Sequence, residues 1–77
     1  MNEKKRNKLR SAVTMLSNAM TVVDNVHDDE SDCVESCPEN LQNSERYESM
    51  VNAVDVLEEA MGSIDEAIDQ LKEAISM

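Results

Sequence analysis

The sequence predicts an all-α fold, an antiparallel two-helix hairpin that dimerises into a four-helix bundle. The 77-residue chain has one Gly, one Pro and one aromatic residue, a composition poor in turn and strand formers. On both sides of its only proline, apolar residues recur at alternating steps of three and four, as in packed helices. One helix pair leaves part of each apolar face in water, which favours association with a second copy. The predicted bounds, in a single domain of residues 1–77, are helix 1 at about 3–36, the connector at 37–44 and helix 2 at about 45–76.

The first predicted helix has two neighbouring apolar rows. The main row consists of Leu9, Val13, Leu16, Met20 and Val23, followed by His27, Glu30, Val34 and Cys37. The second row consists of Ala12, Met15, Ala19, Val22, Val26 and Cys33. Together the rows predict a broad apolar face in the first half of the helix. The polar residues at 27–32 predict loose or hydrated packing further along.

The second predicted helix has one continuous apolar row with a row of alanines beside it. The apolar row consists of Tyr47, Met50, Val54, Leu57, Met61, Ile64, Ile68, Leu71 and Ile75. The alanines recur every seven residues, at Ala53, Ala60, Ala67 and Ala74. Side chains this small let another helix approach closely. Gly62 costs roughly 1 kcal/mol of helix propensity, which is too little to interrupt the pattern.

The connector is predicted from its turn chemistry. Pro38 must end helix 1 at or before the preceding residue, because that residue avoids the helical region. The stretch PENLQ predicts a single turn, with Ser36 and Glu39 spaced as a capping box. Asn43 or Ser44 is then expected to cap helix 2. A connection this short between helices of similar length predicts an antiparallel pair.

The net charge of −10 is unevenly distributed. Residues 1–10, here called the basic arm, carry five cations and one acid, a net charge of +4. Residues 24–48, here called the acidic pole, carry nine acids and only Arg46, a net charge of −8. Such a body repels nucleic acid and anionic membranes and attracts basic protein surfaces.

Two sets of residues are candidates for binding. The predicted partner-binding residues are carboxylates of the acidic pole, namely Asp28, Asp29, Asp32, Glu35, Glu39, Glu45 and Glu48. The predicted oligomer interface consists of Leu9, Val13, Leu16, Met20, Val54, Leu57, Met61, Ile64, Ile68 and Leu71. A competing interpretation treats the acids as a solvated surface that keeps a small bundle soluble.

The basic arm has two expected partners. In an antiparallel hairpin it lies beside acids at the end of helix 2, namely Asp65, Glu66, Asp69 and Glu73. It can also meet the acidic pole of another copy. Contact with phosphates is the alternative, but no aromatic residues are interleaved with the cations. Direct binding of nucleic acid is therefore not expected.

Two cysteines and the single histidine raise the question of a metal. Cys33 and Cys37 lie four residues apart on one helix face, whereas His27 is six residues from Cys33, on a different face. A closed zinc site takes four ligands, and the chain has no third Cys or second His. The CxxxC spacing also differs from the CxxC redox motif. We predict no metal and no cofactor, with a metal-responsive switch at these three residues as the alternative.

A calcium loop is the other metal site that the acids suggest. Asp28, Glu30, Asp32 and Glu39 occupy positions one, three, five and twelve of such a loop. However, Cys33 stands at the position that requires glycine, and proline occupies position eleven. An acidic helix end is the simpler interpretation.

Nothing in the sequence predicts catalysis. The chain has no Ser-His-Asp arrangement and no phosphate-binding loop. No apolar run follows the basic start as in a signal peptide, and no stretch approaches the ~20 apolar residues of a membrane span. We expect a non-enzymatic cytoplasmic protein whose cysteines are reduced.

The stretch PENLQNSER, followed by MVNAVDVLEEAMGSIDEAIDQLKEAIS, resembles a family of short acidic phage and prophage proteins. Members of that family have a basic start, two long helices and a P-E-x-L-Q-x-S-E-R connector, and their activity is not settled. The matching residues here are Pro38, Glu39, Leu41, Gln42, Ser44, Glu45 and Arg46. The resemblance implies a helical hairpin of phage origin that acts in a bacterial host cell, and it assigns no site residues.

Two functions follow as predictions. In the first, the protein binds a host protein, such as a defence nuclease or a nucleic-acid-binding protein, and inhibits it through the acidic pole. In the second, the protein is a structural homo-oligomer in a phage assembly or replication complex, and the apolar rows carry the function.

Overall fold

Two long α-helices joined by a short connector make up the computed structural model, which describes residues 1–77. Helix α1 spans Glu3–Glu35, a 3₁₀ turn spans Glu39–Leu41, and helix α2 spans Glu45–Ser76. The chain has no strand, and α1 packs against α2. These observations confirm the predicted all-α class and the predicted helix pair.

The molecule is a thin rod that measures 59 × 14 × 13 Å. Its radius of gyration is 17.5 Å, whereas a compact domain of this length would have about 11–12 Å. A rod of two helices has a small interior, and Ile68 is the one buried residue, with 8% of its surface exposed. Neither helix contains a segment with the length and hydropathy needed to cross a bilayer.

Side-chain caps define where both helices begin. The Asn2 side chain accepts a hydrogen bond from the Lys5 backbone N–H at 2.9 Å, at the start of α1. The Ser44 hydroxyl oxygen accepts a hydrogen bond from the Tyr47 N–H at 3.1 Å, at the start of α2. The same hydroxyl donates to the Leu41 carbonyl at 2.7 Å. Of the two residues predicted to cap α2, Ser44 is therefore the cap, and it also ties α2 to the connector.

The connector forms the single turn that the sequence predicted, but without the predicted capping box. Pro38 has extended backbone angles of φ −60° and ψ 145° and directly precedes the 3₁₀ turn. No side chain caps that turn, so the predicted Ser36–Glu39 capping box is wrong. The reason is that Ser36 still has helical backbone angles and closes α1, where its N–H bonds to the Asp32 carbonyl at 2.9 Å.

The two helices are antiparallel, and contacts between them fix their register. The ring of His27 on α1 bonds to Glu58 on α2. Near the open end, Val13 and Lys72 line the same surface depression. A residue of α1 and the residue of α2 opposite it, which we describe as lying at one level, therefore have numbers that add to about 85.

In this register the main apolar rows of α1 and α2 face each other along the whole rod, and we call this the seam. Every seam residue is half-buried or buried. The register inferred from these contacts gives nine levels along the seam. They are Leu9 with Ile75, Val13 with Leu71, Leu16 with Ile68, Met20 with Ile64, Val23 with Met61, His27 with Leu57, Glu30 with Val54, Val34 with Met50 and Cys37 with Tyr47. The seam is apolar from Leu9 to Val23 and polar at the next two levels, as the sequence predicted.

The two sides of the hairpin differ in polarity. One side carries Arg10, Asp24, Glu58, Asp65 and Lys72 next to the seam. The opposite side, here called the apolar flank, consists of Ala12, Met15, Ala19, Val22, Val26 and Cys33 of α1 with Ala53, Val56, Ala60, Ala67 and Ala74 of α2. Several large side chains of this flank are exposed, with Met15 at 69%, Val22 at 62% and Val56 at 61%.

The cross-helix ion pairs expected for the basic arm are absent. Arg10 bonds to Glu3 at 2.6 Å, and Arg6 lies 3.6 Å from the same carboxylate. No cation of the arm lies within ion-pair distance of α2. Glu3 is on the same helix and exposed beside these guanidinium groups, so it takes the place of the acids on α2. The hydrogen bond and charge of Arg10 hold the pKa of Glu3 below its usual value.

Candidate interaction surface at the acidic pole

The fold concentrates the carboxylates of the acidic pole at one end of the rod. The last turns of α1, the connector and the first turns of α2 all meet there. The seven predicted partner-binding residues, Asp28, Asp29, Asp32, Glu35, Glu39, Glu45 and Glu48, are all exposed. Asp28 pairs with His27, and no other acid of the pole has an ion-pair partner. The pole is thus a dense set of mostly exposed negative charges in which Arg46 and His27 are the only residues that can offset them.

Part of this charge opposes the helix dipoles. The last turn of α1 contains Asp32 and Glu35 and no basic residue, so negative charge lies at the negative end of the dipole. By contrast, Glu45 and Glu48 lie in the first turn of α2, where negative charge is favourable. The acids at the end of α1 therefore cost folding free energy, although the acids on α2 recover some of it.

His27 connects the pole to the seam. Its side chain is 16% exposed, its Nε2 lies 3.0 Å from Glu58 Oε1, and its Nδ1 lies 3.2 Å from Asp28 Oδ1. The hydrogen bond to Glu58, followed by that to Asp28, raises the pKa of His27 above 6.5. The sequence analysis did not identify Glu58. An antiparallel register would have indicated it, because that register places Leu57 opposite His27 and Glu58 is the next residue.

The structure does not bring the predicted metal-switch residues together. The ligating side chains that converge are Asp24, His27 and Asp28, whose ligand atoms lie within 4.8 Å of one another. Cys33 and Cys37 are not part of this group, because residue 33 lies on a different face of α1 from His27. Both ring nitrogens of His27 already bond to carboxylates. We therefore interpret Asp24, His27 and Asp28 as part of the acidic surface.

The calcium-loop interpretation fails on backbone conformation. Asp28, Glu30 and Asp32 all lie inside the continuous helix α1. A calcium loop wraps its ligands around the ion, whereas a straight helix points them outward in different directions.

A cleft of about 520 Å³ lies beside the pole, between the end of α1 and the start of α2. Cys33, Cys37, Leu41, Tyr47 and Met50 are among its lining residues. Both cysteines are free thiols, Cys33 exposed and Cys37 half-buried. The lining is mainly apolar and contains no carboxylate, so the cleft offers a packing surface rather than an acid-base pair.

The predicted oligomer-interface residues lie in the seam. They include Leu16 and Ile68, which occupy one level between α1 and α2 of the same chain. All of them are at least half-buried without a second copy. Their contact with another copy stays a prediction, while the apolar flank is the surface that this chain leaves uncovered.

Comparison of the chain with protein families, with curated proteins and with solved structures gave no match. The resemblance to phage hairpin proteins is therefore an untested prediction, and the functional argument depends on the charges and exposed surfaces described above.

Proposed function

We propose that the protein is a non-enzymatic interaction module that binds a basic protein surface through the acidic pole. The supporting observation is that eight of the nine pole carboxylates have no ion-pair partner in the chain. Like charges gathered in this way destabilise the hairpin, and a basic partner would relieve their repulsion. The expected partner is a host protein with a groove for nucleic acid, such as a defence nuclease, inside a bacterial cell infected by a phage.

Helix geometry supports the mimicry of phosphate charge. Asp28, Asp32 and Glu35 recur at steps of four and three along α1, which places neighbours about 5–6 Å apart on an exposed face. A regular row of anions on a thin rod can enter a groove that accommodates a nucleic-acid backbone. Binding of this kind weakens steeply as salt increases.

A capture experiment with matched variants tests this proposal. The pole variant is Asp28→Asn, Asp29→Asn, Asp32→Asn and Glu35→Gln. The control is Asp65→Asn, Glu66→Gln, Asp69→Asn and Glu73→Gln, which changes the net charge equally at the other end of the rod. The wild type and the control should capture the same basic protein from bacterial lysate, and duplex DNA should displace it. Equal capture by the pole variant, or resistance to DNA, would exclude the electrostatic mechanism.

The exposed apolar flank favours a second candidate, a structural homo-oligomer. Met15, Val22 and Val56 are each more than 60% exposed, although side chains of this size are usually buried. In this function, self-association through apolar surfaces builds a four-helix bundle for a phage assembly or replication complex, and the acids provide solubility. A stable homodimer that captures no basic protein would favour this candidate over the first.

A further inference from the structure

We propose that two copies of this chain associate through their apolar flanks, with the two α1 helices antiparallel about a two-fold axis at Ala19. The proposal deepens the self-association candidate above and does not depend on a partner for the acidic pole. Three features support it, namely the position of the exposed apolar residues, the charges on either side of them and the area available.

Of the six α1 residues in the apolar flank, all but Cys33 are distributed evenly about Ala19. Ala12 and Val26 lie seven residues before and after it, and Met15 and Val22 lie four before and three after. In a two-fold dimer the same patch contacts itself. An axis at Ala19 therefore brings Met15 of one copy to Val22 of the other, and covers the side chains that one chain exposes at 69% and 62%.

Charges of opposite sign lie on the same side of α1, beyond the two ends of this patch. Lys5 and Lys8 continue the heptad positions of the patch toward the N-terminus, and Asp29 continues them toward the pole with Asp32 beside it. The two-fold axis places Lys8 at the level of Asp29, and Lys5 at the level of Asp32, in the other copy. None of these four residues has an ion pair within its own chain.

The same charges exclude the parallel arrangement. Two hairpins side by side in the same direction would place two acidic poles, each of charge −8, next to each other. In the antiparallel arrangement each pole meets a basic arm of charge +4. Complementary charges of this kind select the orientation and disfavour the alternative.

The flank offers enough area for a stable dimer. The whole side of the rod that carries the flank, with its charged ends, is 59 Å long and 14 Å wide, which amounts to about 800 Å², the area per partner of a standard specific interface. The alanines of α2 help, because Ala60 and Ala67 lie at the levels of Val26 and Ala19. Their small side chains would let α1 of the second copy approach closely.

The mass in solution is the first test. Sedimentation equilibrium should give about 17 kDa, twice the chain mass of 8.6 kDa. Ala19→Glu places two like charges together at the axis, so we expect the dissociation constant of the dimer to rise by about tenfold or more. Asn18→Glu adds the same charge on the outer face and should leave the mass unchanged. A monomeric wild type, or equal behaviour of both variants, would overturn the proposal.

Cross-linking tests the axis without adding charge to the interface. In a chain with Cys33→Ser and Cys37→Ser, Ala19→Cys should form a disulfide-linked dimer under mild oxidation, because residues on a two-fold axis face their own copies. Asn18→Cys should link much more slowly. Similar rates at both positions would show that the axis does not pass near Ala19.

A charge swap tests the orientation. Lys5→Glu with Lys8→Glu should weaken the dimer, and so should Asp29→Lys with Asp32→Lys. Mixing the two variants should restore association, because each reversed arm then meets a reversed pole. Failure to restore it would contradict the antiparallel arrangement.

The Ala19→Glu variant separates this proposal from the first proposed function. Since Ala19→Glu keeps every acid of the pole, capture of a basic protein by that variant is a separate outcome that tests only the first proposed function.

Discussion

The imidazole of His27 bonds across the hairpin to Glu58, with 3.0 Å between Nε2 and Oε1. This contact places a titratable group in the seam, at the level where the apolar core gives way to the acidic pole. Both carboxylates bonded to the ring favour its protonated form, so the pKa of His27 is raised, mainly by Glu58. The hairpin should therefore respond to pH through this residue.

Replacing His27 by Gln should remove a pH-dependent part of the stability. Because the pKa is higher in the folded than in the unfolded chain, the imidazolium stabilises the hairpin fully below about pH 6.5, and this contribution is lost as the pH rises through the folded pKa. The difference in unfolding free energy between wild type and variant should thus be larger at about pH 5.5 than at about pH 8. Thermal unfolding followed by circular dichroism measures it.

The single histidine also gives a direct control by NMR titration. Glu58→Gln should lower the pKa of His27 more than Asp28→Asn does, since Glu58 contributes the larger share of the shift. An equal effect of the two substitutions would show that the cross-helix bond is not the main cause.

Replacing Ile68 by Ala should destabilise the hairpin more than any other single truncation of the seam. Ile68 is the most buried residue of the chain, with 8% of its surface exposed, and removal of a buried Ile side chain costs about 2–5 kcal/mol. Asn18→Ala is the control, because Asn18 is exposed on the outer face of α1, away from the seam and the apolar flank, and should change stability by about 0.5 kcal/mol or less. Urea unfolding at one fixed protein concentration compares the two, and equal costs would contradict the seam described here.

Replacing Gly62 by Ala should stabilise α2. A methyl group at this position meets no atom within 4 Å, so only the gain in helix propensity remains, about 0.8–1 kcal/mol. Gly62→Ser is the comparison and should give a smaller gain, because serine is a weaker helix former. A loss of stability with Ala would mean that another surface packs against Gly62.

Neutralising acids at the two helix ends of the pole should have unequal effects. Asp32→Asn with Glu35→Gln removes charge from the unfavourable end of the α1 dipole, whereas Glu45→Gln with Glu48→Gln removes it from the favourable end of α2. The Asp32→Asn, Glu35→Gln variant should therefore have a larger free energy of unfolding than the Glu45→Gln, Glu48→Gln variant, by roughly 0.3–1 kcal/mol for each charge at low salt. The difference should shrink at about 1 M salt, and its persistence there would point to a cause other than electrostatics.

The sequence was sufficient to predict the helix pair because its apolar period continues without interruption from Tyr47 to Ile75. It also narrowed the cap of α2 to two residues, since Ser and Asn are both good caps. Which one caps depends on the path of the connector, and the hydrogen bond from Ser44 to the Leu41 carbonyl shows that path.

Side-chain pairing was harder to predict than the fold. The bond between His27 and Glu58 depends on the register of two helices, and a heptad pattern by itself does not distinguish registers that differ by seven residues. For the basic arm, the sequence predicted ion pairs with acids on α2 that the structure does not form. Its arginines pair instead with Glu3 on the same helix. Long flexible cations on an exposed surface pair with whichever acid is nearest, and such pairs are weak enough to exchange.

The connector sets the alignment of two otherwise repetitive rods. A seam that repeats every seven residues would match almost as well if one helix slid along the other by one repeat. The turn at Glu39–Leu41, anchored by Ser44, holds the ends too close for such a slide. A longer, looser connector would thus allow staggered forms of the same rod. The nine residues between α1 and α2, 36–44, therefore decide which acids and cations lie at each end.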